Sequence, residues 1–104
     1  MNYSVLISNQ AKEDLRGIYA YIAYQLLSPA VAKKLILKLE EAIKSLETFP
    51  MRCHVMFDNP WKDRGFRVLQ VDNYLLIYSV EEKLHEVTII RVLYAKRDIP
   101  KALE

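Results

Sequence analysis

The stretch NQAKEDLRGIYAYIAYQLLSPAVAKKLILKLEEAIKSLETFP, residues 9–50, decides the fold. Ala11, Leu15, Ile18, Ile22 and Leu26 recur at helical spacing and make one apolar stripe. Lys12, Glu13, Asp14 and Arg16 fall mostly off it. The spacing predicts a helix from about Asn9 to Leu27. Tyr19, Tyr21 and Tyr24 widen its apolar surface, either as packing residues at the edge of a core or as a partner-binding surface. Ser28-Pro29 ends this helix and starts the next, since serine is a favoured N-cap and proline suits the first helical position. Ala32, Leu35, Ile36, Leu39, Ile43 and Leu46 stripe the second helix, expected to run to about Thr48. Lys33, Lys34, Lys38, Glu40, Glu41 and Lys44 form its wet face. The link is so short that the two helices must fold back as an antiparallel hairpin.

Working outward, Tyr3 to Ile7 reads as a short strand, and Ser8 can cap the first helix. Beyond Phe49-Pro50, the segment from Met51 to Gly65 reads as irregular, with Trp61 expected to anchor it on the core. The last third reads as a β-meander. Phe66 to Val71 is one strand, Asp72-Asn73 turns the chain, and Tyr74 to Val80 is the next. This second strand is apolar at both parities, which places it centrally. Glu81-Glu82-Lys83 turns again into a strand from His85 to Leu93. The expected fold is α+β, ordered β-α-α-β-β-β, an antiparallel sheet with the helical hairpin packed on one face. Residues 1–104 suffice for a single domain.

Composition narrows the function classes. The chain is 52% hydrophobic and 27% charged, a globular balance, and its net charge of +2 permits contact with nucleic acid without demonstrating it. Cys53 is the sole cysteine, so no intrachain disulfide can form. Residues Met1 to Ser4 open directly into an alternating segment without signal-peptide features, and no stretch approaches a membrane span. The expected compartment is the cytoplasm.

Several chemistries are excluded. The two glycines are isolated, so there is no glycine-rich phosphate loop. Cys53 and His54 are adjacent, and no second pair sits at zinc-ligand spacing. His54 and His85 read as exposed, and no carboxylates make an acid–base pair. No metal or cofactor is expected. The basic residues are more informative: Lys62, Arg64, Arg67, Arg91, Lys96 and Arg97 all fall in the last 43 residues. Arg67 shares strand parity with Leu69 and Val71, and Arg91 with Ile89 and Leu93, so both interrupt apolar faces. Each must reach the sheet margin or pair with a carboxylate, for which Asp63, Asp72 and Asp98 are the candidates. Arg64 and Arg97 lie in connecting segments and are freer to meet a partner. A basic patch beside Tyr94 and Trp61 fits phosphate contact with base stacking, and equally an acidic protein partner.

Order and motif together carry a resemblance. Ala11-x-x-Asp14-Leu15-x-x-Ile18-x-x-Tyr21 resembles the opening helix of RelE/ParE toxins, as does Ser28-Pro29-Ala30 leading into Leu39-x-x-Ala42-Ile43-x-x-Leu46 and Phe49-Pro50. Arg67-x-x-x-Val71-x-x-Tyr74, Ile77-Tyr78 and the closing Ile90-Arg91-Val92-Leu93-Tyr94-x-x-Arg97-Asp98 continue it in order. The resemblance implies the toxin of a type II toxin–antitoxin pair, linked to growth inhibition and plasmid stabilisation. Its implied partner is an antitoxin that wraps the toxin with a segment folding on binding. RelE-like members are ribosome-dependent mRNA endonucleases (mRNA interferases), whereas ParE-like members inhibit DNA gyrase without cutting anything. Whether the chain is an enzyme therefore depends on the branch. RelE-like members place an arginine just after the tyrosine of the central strand, and here Tyr74 is followed by Leu75. Leucine cannot donate to a phosphate. That departure, the long first helix and the closing motif favour the gyrase inhibitor, with Arg64, Arg67, Tyr94, Lys96 and Arg97 meeting the target. A nuclease of this lineage would use Arg97, Tyr94 and Arg67 catalytically. A third expectation is a non-toxic binding module of the same fold.

Overall fold

A computed structural model describes residues 2–53, 55 and 64–95. Strand β1 (Ser4–Ile7) leads through Ser8 into helix α1 (Asn9–Ala20), which continues as a π-helical turn over Tyr21–Gln25. Helix α2 spans Pro29–Ser45, and β2 (Arg67–Val71), β3 (Tyr74–Glu81) and β4 (Glu86–Tyr94) complete the chain order.

Ser8 is the cap foreseen for the first helix. Its Oγ accepts from the Ala11 amide at 3.0 Å and donates to the Ile90 carbonyl at 2.9 Å, tying the start of α1 to the last strand. Ser28 stands at the N-cap of α2 but makes no side-chain cap; its hydroxyl donates instead to the Leu26 carbonyl. The second helix stops at Ser45, short of the expected Thr48, and a turn comes after it. Arg52 returns to that end, donating to the Thr48 carbonyl at 2.8 Å and to the Ser45 hydroxyl at 2.8 Å. A guanidinium there meets carbonyls that no intrahelical amide can reach.

The sheet order is β1-β4-β3-β2. The meander is antiparallel as expected, with Tyr74 opposite Val71 across the Asp72-Asn73 turn. β1 differs: it joins the edge parallel to β4, Ser4 opposite Glu86 and Ile7 opposite Ile89, so the sheet is mixed. The helical hairpin is thus a crossover connection, and chain order alone does not say on which side the first strand docks.

The core lies between hairpin and sheet. Ala11, Leu39, Ile43 and Leu46 pack against Leu76, Tyr78, Val87, Ile89 and Val92. Ile77 is as fully buried as its neighbours Leu76 and Tyr78, as befits an internal strand apolar at both parities. Burying side chains of this size contributes about 1.5–3 kcal/mol each. One irregularity re-aims the last strand. Tyr78 pairs with Ile89 but Ile77 pairs with Arg91, which leaves Ile90 as the extra residue of a β-bulge. The expected shared parity of Arg91 with Ile89 therefore fails, because the bulge shifts the alternation by one residue.

Candidate functional site

The π-helical turn positions a concavity among the described residues. Its wider winding appears as the Leu26 amide bonding to the Tyr21 carbonyl at 3.0 Å. Ile22 and Ala23 stay buried against Ala32 of α2, but the extra residue in the turn rotates the positions after it. Leu26, expected on the buried stripe, is 54% exposed, and Leu27 is 82% exposed with φ of 53°. Tyr21, Leu26 and Val31 consequently line an open groove of about 770 Å³, whose other wall is Tyr74, Val92 and Tyr94. Glu13, Asp14 and Gly17 continue the α1 wall. Tyr74 and Tyr94 meet edge to face with centroids 5.5 Å apart. Burial, reinforced by Tyr94 and Tyr21, pushes the Tyr74 phenol above its ordinary value of 10.0. Tyr21 and Tyr24 are exposed while Tyr19 is half-buried, so the tyrosines of the first helix divide between the two roles open to them.

Beneath this groove lies a nearly buried ion pair. Beyond Ile89, where β1 ends, α1 runs beside β4 and Asp14 takes the place of a strand partner. Its Oδ2 accepts from the Val92 amide at 3.0 Å and from Arg91 Nε at 2.7 Å, and its Oδ1 from Arg91 Nη2 at 2.9 Å. The two side chains are 14% and 9% exposed for Arg91 and Asp14. These bonds raise the Arg91 pKa above its ordinary value, against the opposing effect of burial. Asp14 on the first helix is thus a carboxylate partner of Arg91 in addition to the expected candidates Asp63, Asp72 and Asp98. Asp72 binds Lys38 of α2 at 2.8 Å instead, and Asp63 and Asp98 lie outside the described residues.

Of the residues expected to meet a target, Arg64, Arg67 and Tyr94 are among the described residues. Arg67 donates to the Cys53 carbonyl at 2.6 Å and to the Met51 carbonyl at 3.2 Å, fastening the segment after α2 to the sheet. Arg67 was expected at the sheet margin or on a carboxylate, and it meets these carbonyls on β2, the last strand in the sheet order. Tyr78, opposite Arg67 in the register, donates its buried hydroxyl to the Pro50 carbonyl at 2.6 Å. Tyr94 lies opposite Tyr74, at the start of β3. Four residues of strand, roughly 13 Å, separate the two levels. Arg64 is exposed three residues before Arg67. Lys96 and Arg97 lie outside the described residues, as do Trp61, Lys62 and His54. His85 is exposed as expected, with its ring edge-on to Tyr3 at 5.3 Å. Among the described residues, no three of His, Cys, Asp and Glu gather as metal ligands, and no helix is long and apolar enough to cross a membrane.

The sequence reading missed the groove. Its signals were present in Gly17, a helix-weakening residue in mid-helix, and in the apolar Val31 on the otherwise wet side of α2.

Solved structures of the same shape are known. The chromosomal ParDE toxin–antitoxin system of P. aeruginosa has a chain 23% identical, superposing with a TM-score of 0.74 over 90% of this chain and 97% of that one. A chain of the RelBE2 toxin–antitoxin complex from Mycobacterium tuberculosis is 22% identical, with a TM-score of 0.64 over 92% and 95%. A doubly substituted E. coli RelE toxin in the free state is 14% identical, with a TM-score of 0.67 over 98% and 93%. At these identities the likeness establishes the RelE/ParE-like fold. No match was found among curated protein sequences. The family model for the ParE toxin of the type II toxin–antitoxin system parDE matches residues 5–99, nearly the whole chain. The chain therefore belongs to the ParE toxin family.

Proposed function

We propose that this chain arrests growth by binding and inhibiting DNA gyrase in the cytoplasm, without breaking a bond itself, and that a cognate antitoxin holds it inactive. The family match over residues 5–99 carries this reading. The site chemistry supports it. A ribonuclease must stabilise charge building on a phosphate with converging cations. Here Leu75 follows Tyr74, Arg91 is engaged with Asp14, and Arg67 donates to two backbone carbonyls. The aromatic groove beside Tyr94 offers apolar contact area suited to protein recognition. The target contacts are assigned to Tyr94, Lys96 and Arg97 with Arg64 in support, and Arg67 serves by shaping the surface.

Two assays run side by side test this. Purified free toxin should block gyrase supercoiling and leave messenger RNA intact in a translating extract. Normal supercoiling at saturating toxin, with new transcript ends in the extract, would transfer the chain to the nuclease reading, with Arg97, Tyr94 and Arg67 as its candidates. Unimpaired growth on induction without the antitoxin would leave only a binding module.

A further inference from the structure

The two edges of the sheet are guarded differently. β2 opens on Arg67, and Val55 bridges to that residue on the side away from β3. β1 has no such guard. From Asn2 to Gln10 the chain carries no charged residue and no proline, the devices that usually blunt an edge.

The hydrogen bonds show which backbone groups are left over. The Ser4 amide donates to the His85 carbonyl at 2.8 Å, and the Ser8 amide to the Ile89 carbonyl at 3.0 Å. Backbone direction alternates along a strand, so Leu6 also turns to β4, while Val5 and Ile7 turn their amides and carbonyls outward. Tyr3 shares their parity, and its amide donates to the Glu47 carbonyl at 2.8 Å. The open stretch is therefore Val5 and Ile7, whose outward groups meet no partner among the described residues. Their side chains pack on the core, which puts Leu6 on the opposite face of the sheet, 50% exposed.

We infer that this edge pairs with the same edge of a second copy of this chain, about a twofold axis at Leu6. Val5 of each copy exchanges both backbone bonds with Ile7 of the other, and the two Leu6 side chains meet in the close pair between them. Any other antiparallel register of that parity sets Ile7 against the occupied Tyr3, or Val5 against Asn9 in the helix. The edge is thus complementary to itself and brings no like charges together. Because α1 runs over β4 and not over β1, the first helices of the two copies stand three strand spacings, roughly 14 Å, apart. That is wider than the ~8–10 Å at which helices touch. So short a pairing falls below the ~1,200 Å² at which stable complexes begin, so association is reversible and set by concentration.

The test uses the full chain in sedimentation equilibrium. Wild type should move from monomer toward dimer between the micromolar and the millimolar range. Leu6→Lys sets two charges against each other at the axis and should weaken association several-fold, more at low salt than at high salt. Its circular dichroism should stay that of wild type, since the leucine is already half in water. Leu37→Lys, at a similarly exposed leucine of α2, should associate as wild type does. Cross-linking reads the register. In a Cys53→Ser background, Leu6→Cys should form an interchain disulfide on mild oxidation, because the facing Cα atoms lie about 4.5 Å apart. Ser4→Cys should not, because position 4 and its mate lie roughly 13 Å apart. The inference falls if wild type stays monomeric at the highest concentration, or if Leu6→Lys associates as tightly as wild type. It falls equally if Ser4→Cys cross-links as readily as Leu6→Cys. It also falls if the protein of the adjacent reading frame, and not a second copy, protects the Val5 and Ile7 amides from hydrogen exchange, since the edge would then belong to that partner.

Discussion

Replacing Asp14 with alanine tests how the helical hairpin is fastened to the sheet. The carboxylate accepts three hydrogen bonds, two from Arg91 and one from the Val92 amide, and both side chains of the pair are largely shielded from water. Losing one member of a buried pair costs about 3–5 kcal/mol, because the other charge stays desolvated. The residual exposure lets water reach part of the guanidinium, which places the expected loss near the lower end, about 3 kcal/mol. A domain of this size holds roughly 5–15 kcal/mol in all. With m-values of about 1–3 kcal/mol/M in urea, the unfolding midpoint should fall by about 1–3 M at unchanged m. Circular dichroism against urea reads this directly. The double variant Asp14→Leu/Arg91→Met should recover most of the loss, since an apolar replacement removes both charges together. It should remain about 1 kcal/mol short, because the Val92 amide still lacks its acceptor. A midpoint for Asp14→Ala within 0.3 M of wild type (roughly 0.3–1 kcal/mol by the same m-values), or a double variant less stable than the single one, would refute the reasoning.

Two further outcomes rest on local geometry. Burial, reinforced by a hydrogen bond with Cys53, holds the Tyr78 phenol well above its ordinary value of 10.0, so its neutral form stabilises the fold fully below about pH 10 and that contribution drains away as pH climbs further. Stability measured from pH 8 to 11 should therefore fall steeply at the alkaline end, and Tyr78→Phe should flatten that fall while lowering the plateau by about 1 kcal/mol for the lost bond to the Pro50 carbonyl. Leu27 is exposed with φ of 53°, where a side chain is strained and glycine is not, so Leu27→Gly should raise stability by about 0.5–1 kcal/mol in thermal unfolding, and a decrease would mean that the leucine packs on something essential.

Local patterns were legible and long-range pairings were not. The stripes through Ala11 and Leu39, the serine at position 8 and the Asp72-Asn73 turn each depend on residues a few positions apart, and each stands where the sequence places it. Arg91 shows the limit. Parity marked it as an arginine that needs a partner, but nothing in the local pattern points to Asp14, 77 residues away on another element. The bulge at Ile90 and the π-helical turn after Ala20 each insert one residue into a repeat, and periodicity carries no warning of such a shift. That one slip moved Leu26 from the expected core into the groove. Of the expected target-meeting residues, Tyr94 lines the groove, Arg67 is spent on backbone carbonyls, and Lys96 and Arg97 lie outside the described residues.

The parallel docking of β1 has a consequence for synthesis. Ser4 waits for Glu86, and the Ser8 hydroxyl waits for Ile90, so the first element made is completed by nearly the last. Contacts of such sequence separation form late and slowly. A nascent chain halted before Glu86 has two helices with half a floor beneath them. Such a fragment cannot present Tyr94 beside Tyr74, so the groove between α1 and β4 is assembled only after β4 has left the ribosome.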